Sequence, residues 1–466
     1  MTGLKQKTVK SIKVEYVEGE AATSFGGLAL VERLAQRMGW WGRLEKLLPA
    51  RRGYSWLEII KSGVAGLLSG SQGTYATEEI RQDLGAQRLL GLDGAPEEVT
   101  FWRSLAGLGG GPVGAALEAG RLRWVRGALG RLRRSELEYE GFVPVFGDGS
   151  LLEGSEKREG TKYVESKGRG LMWTTVFVGP FVAGHRLAGE REGEQASFRR
   201  LLPGVVGEVL KPLRLLKRSL LLVDSLHGDG PTLDEVEGEG LLYVAGANKL
   251  KQTEATLAGL AEGAWVDSGA RPELGWSESA VCVCWLECGG WSAKRVLVGR
   301  RWKKVGEFVW NYAGALTNVP QERVESLSRR AGGYAQALWR LYDHKAGRED
   351  LYKDLLEDLD LHHPPCGELQ RNRGFYALAV LAHTLGRAVD ALGGRSPQRG
   401  QTRRQDGALR QRPTPRRMRL WRLGRRLLTL PAVVTTHART ATVKLLGLSA
   451  PLRQEFSLYW SNICRC

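Results

Sequence analysis

At 466 residues the chain exceeds one ordinary core, and its 42% hydrophobic content excludes a disordered polymer, so several domains are expected. Lys and Arg outnumber Asp and Glu by 68 to 51, a net charge of +17 that points to polyanionic partners, nucleic acid before anionic membrane. No run of about 18 apolar residues marks a membrane span, the opening segment lacks a signal-peptide core, and six cysteines make no disulfide framework in this length, so reduced thiols and a cytoplasmic setting are expected.

Residues 1–22 read as a basic N-terminal arm. From Thr23 the texture is helical. Leu28, Val31, Leu34, Ala35 and Met38 recur at three- and four-residue spacing. A second helix is expected from Ser55 through Leu68, a third from about Thr77 to Leu90, and a fourth over Thr100 to Leu108 with Thr100 as its N-cap. A Leu- and Arg-rich helix over 113–134 completes an all-helical region, 23–138.

At Phe142 the composition shifts. FVPVFGD (142–148) and SLLLVD (219–224) are apolar, strand-forming runs that each end in an acid, and LLYVAGAN (241–248) is a third such run. WTTVFV (173–178) and FVAGHRL (181–187) are expected to pair across Gly179-Pro180, and a helix begins at Glu194. Strands alternating with helices indicate a multidomain α/β chain whose core sheet starts in 139–250. Residues 251–319 carry six tryptophans (Trp265, Trp276, Trp285, Trp291, Trp302 and Trp310) in alternating runs and read as a β-rich insertion with a mostly core role for the indoles. Helical texture returns over 320–394. In the Arg-rich C-terminal region, 395–466, residues 395–426 hold twelve arginines against one acid, Asp406. That composition favours phosphate contact, with Arg403, Arg404, Arg416 and Arg417 as candidates.

Asp148 and Asp224 are expected at the C-terminal ends of adjacent strands, where catalytic groups of open α/β sheets collect. Two carboxylates there suit hard divalent cations, Mg²⁺ or Mn²⁺, better than zinc. Taken singly, each aspartate is as well explained as a turn cap. Tyr342, Lys345 and Glu349 are spaced i, i+3, i+7, which places them along one face of a helix. Glu349 on that face is a third carboxylate, and Lys345 a phosphate contact; the plain alternative is a solvated Lys345–Glu349 pair. Cys282, Cys284 and Cys288 lack a fourth ligand at zinc spacing and read as buried thiols. His227, three residues after Asp224, reads as a loop histidine without a role.

The ordered set FGDGS, LLLVDSLHGDGPTLDEVEGEGLLYV, ALTN and YDHKAGREDLYKDLLEDLDLHHPPC resembles transposases of bacterial insertion sequences, closest to the group named after insertion sequence thirteen-eighty with its Tyr–Arg–Glu–Lys signature. GLALVERLAQRMGW, VTFWRSL and LTLPAVVTTHARTATVKLLG resemble that group's two ends. The resemblance implies a ribonuclease-H-like mixed sheet flanked by helices, a helical DNA-binding domain over 23–138, and a catalytic core interrupted by the insertion. It implies metal-dependent cleavage and strand transfer by Asp148, Asp224 and Glu349 with two Mg²⁺ (Mn²⁺ substituting). The implied partners are double-stranded DNA, both the terminal inverted repeats and the target, and a second copy of the chain in a synaptic complex. Two positions depart from the signature. Its Arg is Lys345, and its Lys falls on Leu356, with Lys353 one turn after Glu349 as the substitute DNA contact. The alternative is therefore a catalytically impaired, transposase-derived DNA-binding protein.

Overall fold

The computed structural model describes residues 21–164, 168–247, 251–395, 417–437 and 440–466. The chain enters on strand β1 (Ala22–Thr23) and passes into helices. Helix Ala29–Met38 buries Leu30, Val31, Leu34, Ala35 and Met38 along one stripe and ends at Gly39, whose φ of 60° is left-handed. Ser55 starts Trp56–Ser69 through a capping box with Glu58. The single helix expected from Thr77 to Leu90 is two helices, Glu78–Gln82 and Leu84–Leu90. Asp83 leaves helical geometry between them and accepts from Ala86 N at 2.7 Å. Thr100 lies inside Glu98–Leu108 rather than at its cap, and the next helix is Gly111–Leu129.

The central sheet has ten strands. Strands β2 (Val143–Glu153), β3 (Lys162–Val164), β4 (Gly168–Val178) and β5 (Phe181–Leu187) are antiparallel neighbours, with β4 pairing β2 on one side and both β3 and β5 on the other. Gly179, at φ 54°, takes the positive-φ position of the β4–β5 turn and Pro180 follows it. Strands β6 (Ser219–Val223) and β7 (Leu242–Gly246) then join parallel to β2. Val143, Val145, Leu220, Leu221, Leu222, Val223 and Tyr243 are at most 1% exposed, as expected of strands covered on both faces. Helix Glu194–Val205 packs on one face, and helix Leu369–Ala388 on the other, with Tyr376 edge-on to Trp173 at 5.1 Å.

The β-rich stretch widens this same sheet. Strands β8 (Val266–Asp267), β9 (Trp276–Leu286), β10 (Arg295–Lys304) and β11 (Asn311–Thr317) form an antiparallel set, and β11 pairs with β7 over Ala315–Thr317. It therefore leaves the core after β7 and returns beside it.

The C-terminal hairpin β12 (Ala432–His437) and β13 (Thr440–Leu445) forms a second sheet with β1, where Ala22 pairs with Val433. The boundaries drawn at 138 and 394 are crossed by this pairing and by helix Ala450–Cys464, whose Tyr459 hydroxyl donates to Asp390 at 3.2 Å. The segment Leu369–Gly393 is long and apolar enough by length and composition to cross a bilayer, which the hydropathy reading missed. Here it is the central core helix, since a buried core selects the same residues.

His185, on β5, is carried into this core. Burial pushes its imidazole down to about 4, against the pull of Glu118 3.9 Å away. The unfolded chain takes up that proton near pH 6.5, the native state only near 4. This contribution to stability is complete above pH 6.5 and is lost as pH falls toward 4, by about 3 kcal/mol. Urea unfolding near neutrality and near pH 4 should show a drop that His185→Gln reduces by that amount; equal drops in parent and variant would refute a neutral buried imidazole.

Candidate active site

Asp224 stands where expected, immediately after β6. Asp148 does not stand at a strand end: β2 runs on to Glu153, paired with β4 throughout. What ends at this point is the parallel neighbour. The β2–β6 register runs from Val143↔Ser219 to Phe146↔Leu222, and two residues further along each strand are Asp148 and Asp224. The two aspartates thus occupy equivalent positions along adjacent parallel strands, each two residues past the last residue paired in this register. Asp148 shares a face with its β4 partner Thr175. Asp224 caps the turn Ser225–His227, its Oδ1 accepting from Leu226 N at 3.1 Å and lying 3.0 Å from His227 Nδ1.

The segment bearing Tyr342, Lys345 and Glu349 is not one α-helix. Helix Tyr334–Asp343 tightens into a 3₁₀ stretch at His344–Arg348 before helix Glu349–Lys353, so the three residues do not share an α-helical face. The segment still crosses both aspartates. The Tyr342 hydroxyl sits over Gly246: a Cβ there would lie 2.6 Å from that oxygen and 2.8 Å from Ser225 N, so only glycine admits the tyrosine beside the Asp224 turn. Lys345 Nζ lies 5.5 Å from the Tyr342 ring centre. At the other end, Tyr352 Oη donates to the Asp148 carbonyl at 3.0 Å and accepts from Thr175 Oγ1. Glu349 is exposed, one helical turn before Tyr352. Sequence reading missed Tyr352; its i+3 spacing from Glu349 was the available signal.

Asp148 and Asp224 offer the hard anionic oxygens a divalent cation needs, at neighbouring positions. Among the described residues, no three His, Cys, Asp or Glu side chains are grouped closely enough to hold a metal ion. The donor chemistry of the aspartate pair fits Mg²⁺ or Mn²⁺, while Glu349 is not closed onto it.

Beyond Glu349, Leu356 is half-buried and packs against the core, so it cannot take the place of a phosphate-binding lysine. Lys353 is half-buried, and its carbonyl accepts from Arg419 at 3.3 Å. Asp354 is wholly buried, with Arg417 at 3.2 Å and Arg387 and Arg419 each at 3.5 Å. Burial pushes its carboxyl up to about 6, although Arg387 and Arg417 pull it down. Such a cluster specifies position more than it adds stability. Arg417, read from the sequence as a DNA contact, is instead a clamp that also donates to the Asp350 carbonyl. Arg403, Arg404 and Arg416 lie outside the described residues.

The indoles of 251–319 are not mostly core. Only Trp265 of the six is buried. Trp276 and Trp302 stack at 5.0 Å, Arg300 lies 4.0 Å from the Trp339 ring centre, and Arg301 lies 4.6 Å and 4.2 Å from those of Trp265 and Trp310. Cross-strand Arg and Lys side chains cover the rings, a role periodicity alone does not reveal. Cys282 and Cys288 are buried, as expected, and Cys284 is half-buried.

No protein-family model and no curated protein matches the chain. Among solved structures it is similar to a piggyBac transposase in a synaptic complex with hairpin DNA, at 10% identity and a TM-score of 0.35, covering 78% of this chain and 76% of that one. At that distance the likeness assigns no residues.

Proposed function

We propose that the chain is a DNA transposase that cleaves at transposon ends and joins them to target DNA. The observation that carries this reading is the placement of Asp148 and Asp224 at equivalent positions along adjacent parallel strands, crossed by a segment that sets Tyr342 beside one and Tyr352 beside the other. The strand order β5-β4-β2-β6-β7, an antiparallel meander followed by two parallel strands, is read as ribonuclease-H-like. The finer placement in the insertion sequence thirteen-eighty-like group rests on the sequence resemblance.

In this reading Asp148, Asp224 and Glu349 hold two divalent cations, which when bound supply charge stabilisation at the attacking and leaving oxygens of phosphoryl transfer. Asp148 and Asp224 present their carboxylates from rigid sheet backbone. Tyr352 ties the strand carrying Asp148 to the helix carrying Glu349. Tyr342 and Lys345 line the approach to Asp224, Lys345 offering DNA phosphate a point charge without the bidentate fork of Arg. Double-stranded DNA, with a second copy of the chain in the synaptic complex, is the proposed partner set, and the setting is cytoplasmic.

A catalytically impaired DNA-binding derivative is the second reading, favoured by Leu356 at the signature's Lys position. Incubation with Mg²⁺ and a plasmid bearing the element's terminal inverted repeats separates the two. Excision supports the transposase, while retention of the plasmid in protein–DNA complexes without any cut supports the derivative.

The Arg-rich stretch has its own test. Arg395, Arg417, Arg419 and Arg426 are engaged with Glu136, Asp354, Asp358 and Glu455. Phosphate binding is therefore assigned to the other eight, Arg399, Arg403, Arg404, Arg410, Arg412, Arg416, Arg422 and Arg425. Their joint replacement by Gln should weaken binding to any DNA and flatten the log–log salt slope by about 0.9 for each phosphate no longer neutralised. An unchanged slope would make the stretch a solvated tail.

A further inference from the structure

Behind the candidate site lies a second set of groups with no part in the phosphoryl-transfer reading. Gly147 and Gly149 flank Asp148, and both face helix Glu194–Val205 on the opposite side of the sheet. A Cβ on Gly147 would lie 2.3 Å from the Phe198 ring, and one on Gly149 would lie 2.4 Å from the Glu194 carboxyl carbon. Glu194 is 6% exposed, with its Oε1 3.6 Å from His227 Nε2. His227 is wholly buried, edge-on to Phe198 at 4.8 Å, and its other nitrogen, Nδ1, lies 3.0 Å from Asp224 Oδ1. The histidine is therefore neither a solvent-facing loop residue nor within reach of DNA.

We infer that His227 and Glu194 are positioning residues that fix the Asp224 carboxylate, and that residue 149 is glycine because this brace passes behind Asp148. The inference rests on the reading of Asp224 as a metal-holding group. Asp224 lies past the last paired residue of β6 and its side chain is 31% exposed, so sheet hydrogen bonds do not hold its rotamer. An ionised carboxylate only accepts, so the shared proton sits on Nδ1 of His227, and that bond fixes one carboxylate oxygen. Glu194, 3.6 Å from the far nitrogen, and Phe198, edge-on at 4.8 Å, pack against the ring and limit its rotation. A neighbour secures the same junction: Gln195 Nε2 donates to the Leu226 carbonyl at 2.8 Å. A ligand oriented in advance loses less freedom when a cation binds, and such supporting contacts are commonly worth about 10- to 100-fold in metal affinity.

The test is Mn²⁺ binding to the full chain without DNA, followed by the electron paramagnetic resonance of free Mn²⁺. Two substitutions at one site separate the brace from simple packing. In His227→Asn the amide nitrogen reaches the Nδ1 position and keeps the bond to Asp224; in His227→Gln it reaches the Nε2 position and loses that bond. We expect His227→Gln to weaken Mn²⁺ binding by about 10-fold or more and His227→Asn to stay within about threefold of the parent. Glu194→Ala, which removes the packing behind the ring, should weaken binding by an intermediate factor and reports on the brace if a His227 variant fails to fold. Equal losses in the Asn and Gln variants at His227, or an unchanged affinity in Glu194→Ala, would overturn the brace. Asp224→Asn is the reference: if it binds Mn²⁺ as the parent does, the metal-holding reading itself fails, and the brace with it.

Discussion

Asp148→Asn, Asp224→Asn and Glu349→Gln should each give a folded protein that binds DNA but cuts it at least roughly 10³-fold more slowly. Each change keeps side-chain shape and removes one anionic oxygen donor. A hard cation binds a neutral amide less well than a carboxylate, so occupancy falls. The charge that develops on the transferred phosphoryl group then lacks its main stabilisation, and about 4 kcal/mol is a modest share of that contribution. Binding should survive, because it rests on Lys and Arg contacts to phosphate. Asp229 and Asp234 are the controls. Asp229 caps helix Gly230–Gly238 by accepting from Thr232 N at 3.0 Å, a role Asn fills equally well. Asp234 pairs with the buried Arg295, which Glu237 also holds at 3.1 Å. Both Asn variants should cleave at rates near the parent's. Normal cleavage by Asp224→Asn beside a dead Asp229→Asn would move the second acid; normal cleavage by all three primary variants would remove the metal–carboxylate reading.

Gly374→Val should destabilise the fold by about 4 kcal/mol, an effect near the top of the range for single substitutions. Gly374 lies where helix Leu369–Ala388 crosses helix Glu98–Leu108, and a Cβ there would lie 2.0 Å from the Leu105 carbonyl oxygen. Gly109 meets the Gln370 carbonyl at the same distance on the other side of the crossing. Replacing a glycine inside a helix is itself favourable by up to about 1 kcal/mol, but here the steric clash outweighs that gain. Both obstacles are backbone atoms, so relief requires the helices to separate and their side chains to pull apart along the crossing. Gly204, near the end of helix Glu194–Val205, has open space around it, and Gly204→Val should change stability by less than about 0.5 kcal/mol. Urea midpoints for the two variants decide the matter, and similar values for both would mean that the crossing is not close-packed.

Several elements were legible from local chemistry alone. The apolar runs at 219–224 and 241–248 became the central strands β6 and β7, because an unbroken apolar run needs burial on both faces. The Gly179-Pro180 turn and the helix starting near Ser55 were equally readable, since each reflects a short-range backbone preference; that Ser55 is the cap and not the first helical residue was not read. Asp83 was not read as a helix break, nor His344–Arg348 as a tightened turn. Each reflects a competition among local bonds that differ by little, settled by what packs against them.

The sequence by itself determined which residues carry the candidate chemistry: two aspartates after strand-forming runs, a glutamate within a helical segment, and a basic chain suited to DNA. Tertiary structure alone decided how they meet. The β2–β6 register sets Asp148 beside Asp224 across 75 intervening residues, and no short-range pattern encodes a register. Pairing with β7 decided that the Trp-rich strands extend the central sheet, and packing there set the buried Arg301 against the Trp265 ring. Burial decided that Arg417 is a clamp on Asp354 and that His227 lies against Asp224 rather than in solvent. The reason is common to all of these. A residue's type limits the bonds it can make, but its partner is chosen by whichever distant element fills the space beside it.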